Sequence, residues 1–204
     1  MLPVVDRLAS ILPDGGLVRG RTVACVGPAA PTVALTLVAR ATAEGSWLAV
    51  VGLPWLGVEA ARELGVALER VVAVDVDPRH HPDWAECVAA AVVGFEVVLA
   101  APSRSMSDRL WRQVRARLQA RGGVLVTLPT PSGPTPSAPV PSADLVVTAS
   151  TEAWEGIGRG HGHLSGRRLR LTVTGRRTPH PRTAVLPANP PPANPVLTTS
   201  AFAG

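Results

Sequence analysis

The chain has 204 residues, 46% of them hydrophobic, which suits one folded domain with appendages. All 20 basic side chains are arginines, against 15 acidic ones, so no lysine is available anywhere for a phosphate loop. A net charge of +5 is compatible with nucleic acid or an acidic partner, and equally with a solvated arginine-rich surface.

Residues 3–12 predict a short amphipathic helix with Val4, Val5, Leu8, Ile11 and Leu12 on one side, broken by Asp14-Gly15-Gly16. The start, Met1-Leu2-Pro3-Val4-Val5-Asp6, lacks the basic segment and apolar run of a signal peptide. Strands and helices then alternate. Val23–Val26 reads as a strand, Thr32–Ala43 as a helix ended by Glu44-Gly45, Trp47–Val51 as a strand and Val58–Leu64 as a helix closed by Gly65. Val71–Val74 is a third strand, Asp83–Val93 a helix and Val97–Ala100 a fourth strand. The apolar stretch 84–102 is interrupted by Glu86, Gly94, Glu96 and Pro102 and changes period midway, so it reads as helix then strand and not as a membrane span. A cytoplasmic protein is expected. Ser107–Ala120 predicts a helix capped by Ser105 or Ser107, with Leu110, Trp111, Val114 and Leu118 inward and Arg109, Arg112 and Arg115 elsewhere on its circumference. Val124–Leu128 is the fifth strand.

Runs such as Leu48-Ala49-Val50-Val51 and Val97-Val98-Leu99-Ala100 are what strands covered on both faces require. With helical crossovers they imply an α/β fold built on a mostly parallel sheet with flanking helices. Prolines crowd into 129–141 and 178–195. The stretch 129–142 is therefore expected to be a mobile loop, and 178–204 a Pro-rich disordered tail. Between them Asp144–Ala149 and Arg167–Thr174 alternate like late antiparallel strands, the second with Leu169, Leu171 and Val173 on one face and Arg168, Arg170 and Thr172 on the other. Cys25 and Cys87 read as small core residues.

The segment Gly27-Pro28-Ala29-Ala30-Pro31-Thr32 sits where a phosphate loop would, between a strand and a helix. It has one glycine and two prolines that donate no N–H, so triphosphate binding in the usual manner is disfavoured. Thr32 is expected to cap the helix. Strand four ends Leu99-Ala100-Ala101-Pro102 without a magnesium-holding acid, and after strand two Val51-Gly52-Leu53-Pro54 supplies no acid to activate water. Asp75 and Asp77, with His80 and His81 nearby, could form a metal site but read first as a turn at Asp77-Pro78. Ser103 and Ser105 lack a nucleophile-elbow context. His161 and His163, flanked by glycines, mark a tight hairpin or a backbone approached by a partner. No catalytic, metal or cofactor residue is expected. Arg159, Arg167, Arg168, Arg170, Arg176 and Arg177 are candidates for a partner or for DNA phosphates, although the absence of Tyr leaves few stacking platforms.

Val26-Gly27-Pro28, the helix ending Ala43-Glu44-Gly45, and Ala61-Arg62-Glu63-Leu64-Gly65-Val66 followed by Leu68-Glu69-Arg70-Val71 resemble the core of the RecA recombinase family over residues 17–175. More specifically, Gly45-Ser46-Trp47-Leu48-Ala49-Val50-Val51-Gly52, then Leu64-Gly65-Val66, then Gly156-Ile157-Gly158-Arg159-Gly160-His161-Gly162 resemble the actinobacterial RecA-like mutasome proteins of the ImuA-prime type. The departures fall where RecA is active: the loop has no lysine, the strand-four acid position falls at Ala101 or its neighbour, and the catalytic glutamate maps near Leu53. The resemblance implies an N-terminal helix (1–16), a RecA-like core (17–177) and a tail (178–204). It further implies a non-catalytic accessory factor of DNA-damage-induced (SOS) translesion synthesis, binding a Y-family polymerase-like subunit and an error-prone replicative-type DNA polymerase. A nucleotide- or dinucleotide-binding enzyme with an unconventional site near Gly27, Asp75 and Asp77, or a plain arginine-mediated DNA-binding module, are the competing readings.

Overall fold

The short apolar runs become the inner strands of one eight-stranded sheet. The computed structural model describes residues 1–77, 81–101, 107–129, 143–158, 161–176 and 178–188. The strands are β1 (Thr22–Val26), β2 (Leu48–Val51), β3 (Val71–Val74), β4 (Val97–Ala100), β5 (Val124–Thr127), β6 (Leu145–Gly158), β7 (His161–Gly175) and β8 (Thr178–Pro187). Their order is β3-β2-β4-β5-β1-β6-β7-β8, parallel from β3 through β6 and antiparallel from β6 through β8.

Alternation across the pleat divides the core into two layers. Leu48, Val97, Leu99 and Val126 pack with α2 (Ala30–Ala43), α3 (Val58–Glu63) and the N-terminal segment. Ala49, Val98, Ala100 and Leu125 pack with α4 (His81–Gly94) and α5 (Asp108–Arg121), against the fully buried Trp84 and Leu118. Because both faces of the middle strands are covered, the sequence offers continuous apolar runs there and alternation only beyond β6. Helix α5 starts where expected: the Ser107 hydroxyl accepts from Leu110 N–H at 3.4 Å, and Gly122 closes the helix at φ 70°. Among the described residues no helix is long and apolar enough to cross a membrane; the 84–102 stretch is indeed helix then strand.

Three stretches differ from the sequence expectation. The helix expected over 3–12 shrinks to α1 (Asp6–Ala9), because the segment is tied at its ends instead: Leu2 and Leu17 exchange backbone bonds of 2.8 and 3.0 Å. The clip so formed buries Leu2, Val4, Leu8, Ile11 and Leu12 in the chain's own core. The strands expected over 144–149 and 167–174 continue to 158 and back from 161 as one long antiparallel ladder, which absorbs register shifts at Glu152 and Gly156. Gly156 (φ 87°) is required there, since a Cβ would lie 2.2 Å from the His163 carbonyl oxygen.

The third difference is β8, in a stretch expected to be tail. It pairs with β7 from Gly175↔Thr178 to Arg168↔Pro187. Its prolines are tolerated because it is the sheet's edge, with only one side owing ladder bonds. Leu186 and Ala184 pack on the core, Ala188 is buried beside them, and Arg182 donates to the Leu12 carbonyl at 3.3 Å. The described structure thus extends through this strand to 188; the stretch expected to be a mobile loop, from 130 to 142, and the rest of the expected tail, 189–204, lie outside the described residues.

Cys25 lies in β1, and burial pushes its thiol up to about 12. Cys87, on α4, is half-buried. With a thiol reagent at pH 8 the native protein should therefore be modified at Cys87, and at Cys25 only after denaturation. Rapid labelling of Cys25 in the folded state would contradict this packing.

Candidate functional site

In an open α/β sheet the natural ligand crevice lies at the carboxyl ends of the parallel strands. Here that is the turn from β1 into α2. Gly27 adopts φ 92°, and a Cβ on it would stand 2.4 Å from the Ala149 carbonyl oxygen of β6. The loop therefore lies directly on the neighbouring strand. The Ala29 N–H, which in an open loop would face an anion, donates to the same Ala149 oxygen at 3.2 Å, and the Ala30 N–H donates to Gly27 at 3.1 Å. Pro28 and Pro31 have no N–H to offer.

The expectation that Thr32 caps α2 is corrected. The cap position is Ala29, which makes no side-chain capping bond, and Pro31 occupies the first turn. Thr32 thus falls one turn too late to cap, and its hydroxyl instead accepts from the Arg167 guanidinium of β7. Arg167 is also stacked on the Trp154 ring of β6, 5.2 Å from its centroid. Burial lowers its pKa from the ordinary guanidinium value, and the Thr32 bond and ring contact are what it receives in exchange for water. A cation does stand at the head of α2, but it arrives from a hairpin far along the chain and grips protein.

The other arginine candidates do not form one surface. Arg167 shares the inward face of β7 with Leu169, Leu171 and Val173, as strand alternation dictates. Arg168 and Arg170 point to the opposite face, as expected. There Arg170 makes a two-pronged pair with Glu152 at 2.6 and 2.7 Å, and Arg168 pairs with Glu155 at 3.3 Å. The Glu152 carboxyl is held below its ordinary value by the Arg170 bonds. Arg176 sits at the other end of the sheet, its N–H donating to the Asp144 carbonyl at 3.2 Å. Arg159 and Arg177 lie outside the described residues.

The positions where acids were sought are packed: Ala101 is fully buried and Leu53 only 4% exposed. Asp75 is exposed and Asp77 half-buried after β3. His80 lies outside the described residues, so the possible metal group is not assembled among those described.

One polar centre was not singled out from sequence. Asp144, 10% exposed at the foot of β6, accepts from the Thr22 N–H and hydroxyl, both at 3.0 Å, from Arg21 at 3.1 Å and from Arg115 at 3.3 Å. Burial pushes its carboxyl up, but the Thr22 bonds and the two guanidinium groups outweigh that and hold it below the ordinary value. The only signal in the sequence is an acid set directly before an apolar run.

The parallel core in the order 3-2-4-5-1-6, extended by an antiparallel hairpin and edge strand, is a RecA-like fold. The RadB recombinase shares it at a TM-score of 0.60 and 14% identity, over 87% of this chain and 91% of that one. The chain belongs to the MT3502 N-terminal domain family, which matches residues 10–135. It is also similar to the uncharacterized protein Rv3395c of Mycobacterium tuberculosis, 33% identical over 149 residues, 72% of this chain and 71% of that protein.

Proposed function

We propose that the protein is a non-catalytic, cytoplasmic accessory factor of DNA-damage-induced translesion synthesis, of the ImuA-prime type, working by contact with a Y-family polymerase-like subunit and through it with an error-prone replicative-type DNA polymerase. The observation that carries this reading is the phosphate loop sealed from within: Ala29 N–H on the Ala149 oxygen, Thr32 hydroxyl on Arg167, and no lysine in the chain. Each charge-assisted contact missing from a triphosphate forgoes about 1.5–3 kcal/mol, so a recombinase-derived scaffold that has lost several retains its shape and surface but not its fuel. The pairing of Arg168 and Arg170 with glutamates favours a protein surface over a phosphate-tracking one, since neutralised arginines release few counterions.

The test has two arms. Calorimetry with ATP and magnesium should give no saturable heat and no turnover, while purified polymerase-like subunit should bind the protein in a defined ratio. Saturable nucleotide binding with hydrolysis, or no association with that subunit, would reject the reading.

A further inference from the structure

Helices α4 and α5 cover the same layer of the sheet and leave a groove between them on the outside. It has a volume of about 710 Å³. Its α4 wall is the stripe Glu86, Ala89, Ala90 and Val93, spaced i, i+3, i+4, i+7, and its α5 wall is Leu110, Gln113 and Arg117, spaced i, i+3, i+7. Val93 is 42% exposed, and Ala90 is open to solvent. The floor is apolar and the residues along it are small, so another backbone can come close.

The rim is charged, and here the arginines differ from those of the hairpin. Arg117 lines the groove and Arg121 follows it one turn on, with Arg109 one turn before Gln113. Among the described residues none of the three meets a carboxylate, whereas Arg168 and Arg170 both do. Surplus positive charge therefore flanks an apolar channel along the α5 side, with Glu86 as the acid on the opposite wall.

We propose that this groove docks an amphipathic helix of the partner protein, its small apolar face laid between α4 and α5 and its acidic residues set against Arg117 and Arg121. Helical ridges form both walls, and an amphipathic helix laid in an apolar groove is a recurring mode of recognition. The occupant is not drawn from this chain. Positions 130–142 and 189–204 are Pro-rich and contain no acidic residue, and the described amphipathic helices are committed to the core. This surface rests on the docking function proposed above and names where that docking occurs.

The test uses the full chain and the purified polymerase-like subunit. Ala90→Trp fills the groove from a solvent-exposed site, and Arg117→Glu with Arg121→Glu inverts the rim; circular dichroism and melting confirm that each stays folded. Each variant should weaken the association at least about tenfold, as expected for a hot spot. A photo-cross-linker at position 90 should attach to a helical, acidic segment of the subunit. If the wild type binds and both variants bind equally well, or the cross-link falls on a basic or extended segment, the groove assignment is wrong while the docking function stands. If the wild type does not bind, both fall. A short DNA duplex that binds the wild type and loses affinity with the rim variant, while the subunit does not, would reassign this face to nucleic acid and overturn the proposal.

Discussion

Replacing Asp144 with alanine should lower the stability of the protein by about 2–4 kcal/mol at neutral pH, or about 5–15 °C in melting temperature for a body of this size. The carboxylate ties the foot of β6 to β1 through the Thr22 N–H and hydroxyl and pairs with both Arg21 and Arg115 in a site where it is itself only 10% exposed. Its loss removes this carboxylate from beside Arg21 and Arg115 and takes the acceptor from the Thr22 amide. Asp144→Asn, which keeps the shape but loses the charge, should lose a smaller share. The pH dependence has a definite sign. The folded-state value lies below the unfolded one, so the carboxylate's contribution is fully present above about pH 4 and drains away as pH falls through the lower folded value. The gap between wild type and Asp144→Asn should consequently narrow on acidification below about pH 4. A gap that stays constant from neutral pH down to pH 2, or equal melting temperatures at pH 7, would show that the carboxylate is not the tie described here.

Truncation before β8 should be comparably damaging. Removing 178–204 exposes Leu169, Leu171 and Val173 of β7 from one side, deletes Ala184, Leu186 and Ala188 from the core, and cuts the Arg182 bond to the N-terminal clip. We expect a loss on the order of 3 kcal/mol or more, seen as a drop of about 6–12 °C in melting temperature and faster proteolysis of residues 1–17. A second chain lacking only 189–204 is the reference that isolates the contribution of β8. If the longer deletion melts like the shorter one, the edge strand adds nothing to the fold.

Most of the parallel core was legible because its physics is local. A strand buried on both faces must read as a run such as Val97–Ala100, and a helix such as α5 announces itself by its period and its Ser107 cap. What escaped was set by distant partners. Thr178–Pro187 carries three prolines and little periodicity, and becomes a strand only because β7 offers an edge. Residues 3–12 have the pattern of a helix, but the Leu2–Leu17 bridge bends them into a clip. At the candidate site the missing lysine and the two prolines could be read directly, whereas the Arg167–Thr32 contact could not. It joins positions 135 apart, and depends on the register of a hairpin whose bulges no local pattern reveals. Asp144 escaped for the same reason: its three partner residues are Arg21 and Thr22, at the start of β1, and Arg115 of α5.

The contact between Arg167 and Thr32 has a further consequence. A motor alternates between a loaded and a spent shape because its loop fills and empties and its ligand favours one shape over the other. In the function proposed here, a loop whose Ala29 N–H is already held by β6 and whose Thr32 hydroxyl is already held by Arg167 would have a single resting posture and no cycle to drive. Under the proposed function such an accessory factor would keep no clock of its own, so the timing of whatever it assembles would be set by how many copies are made and how quickly they are removed.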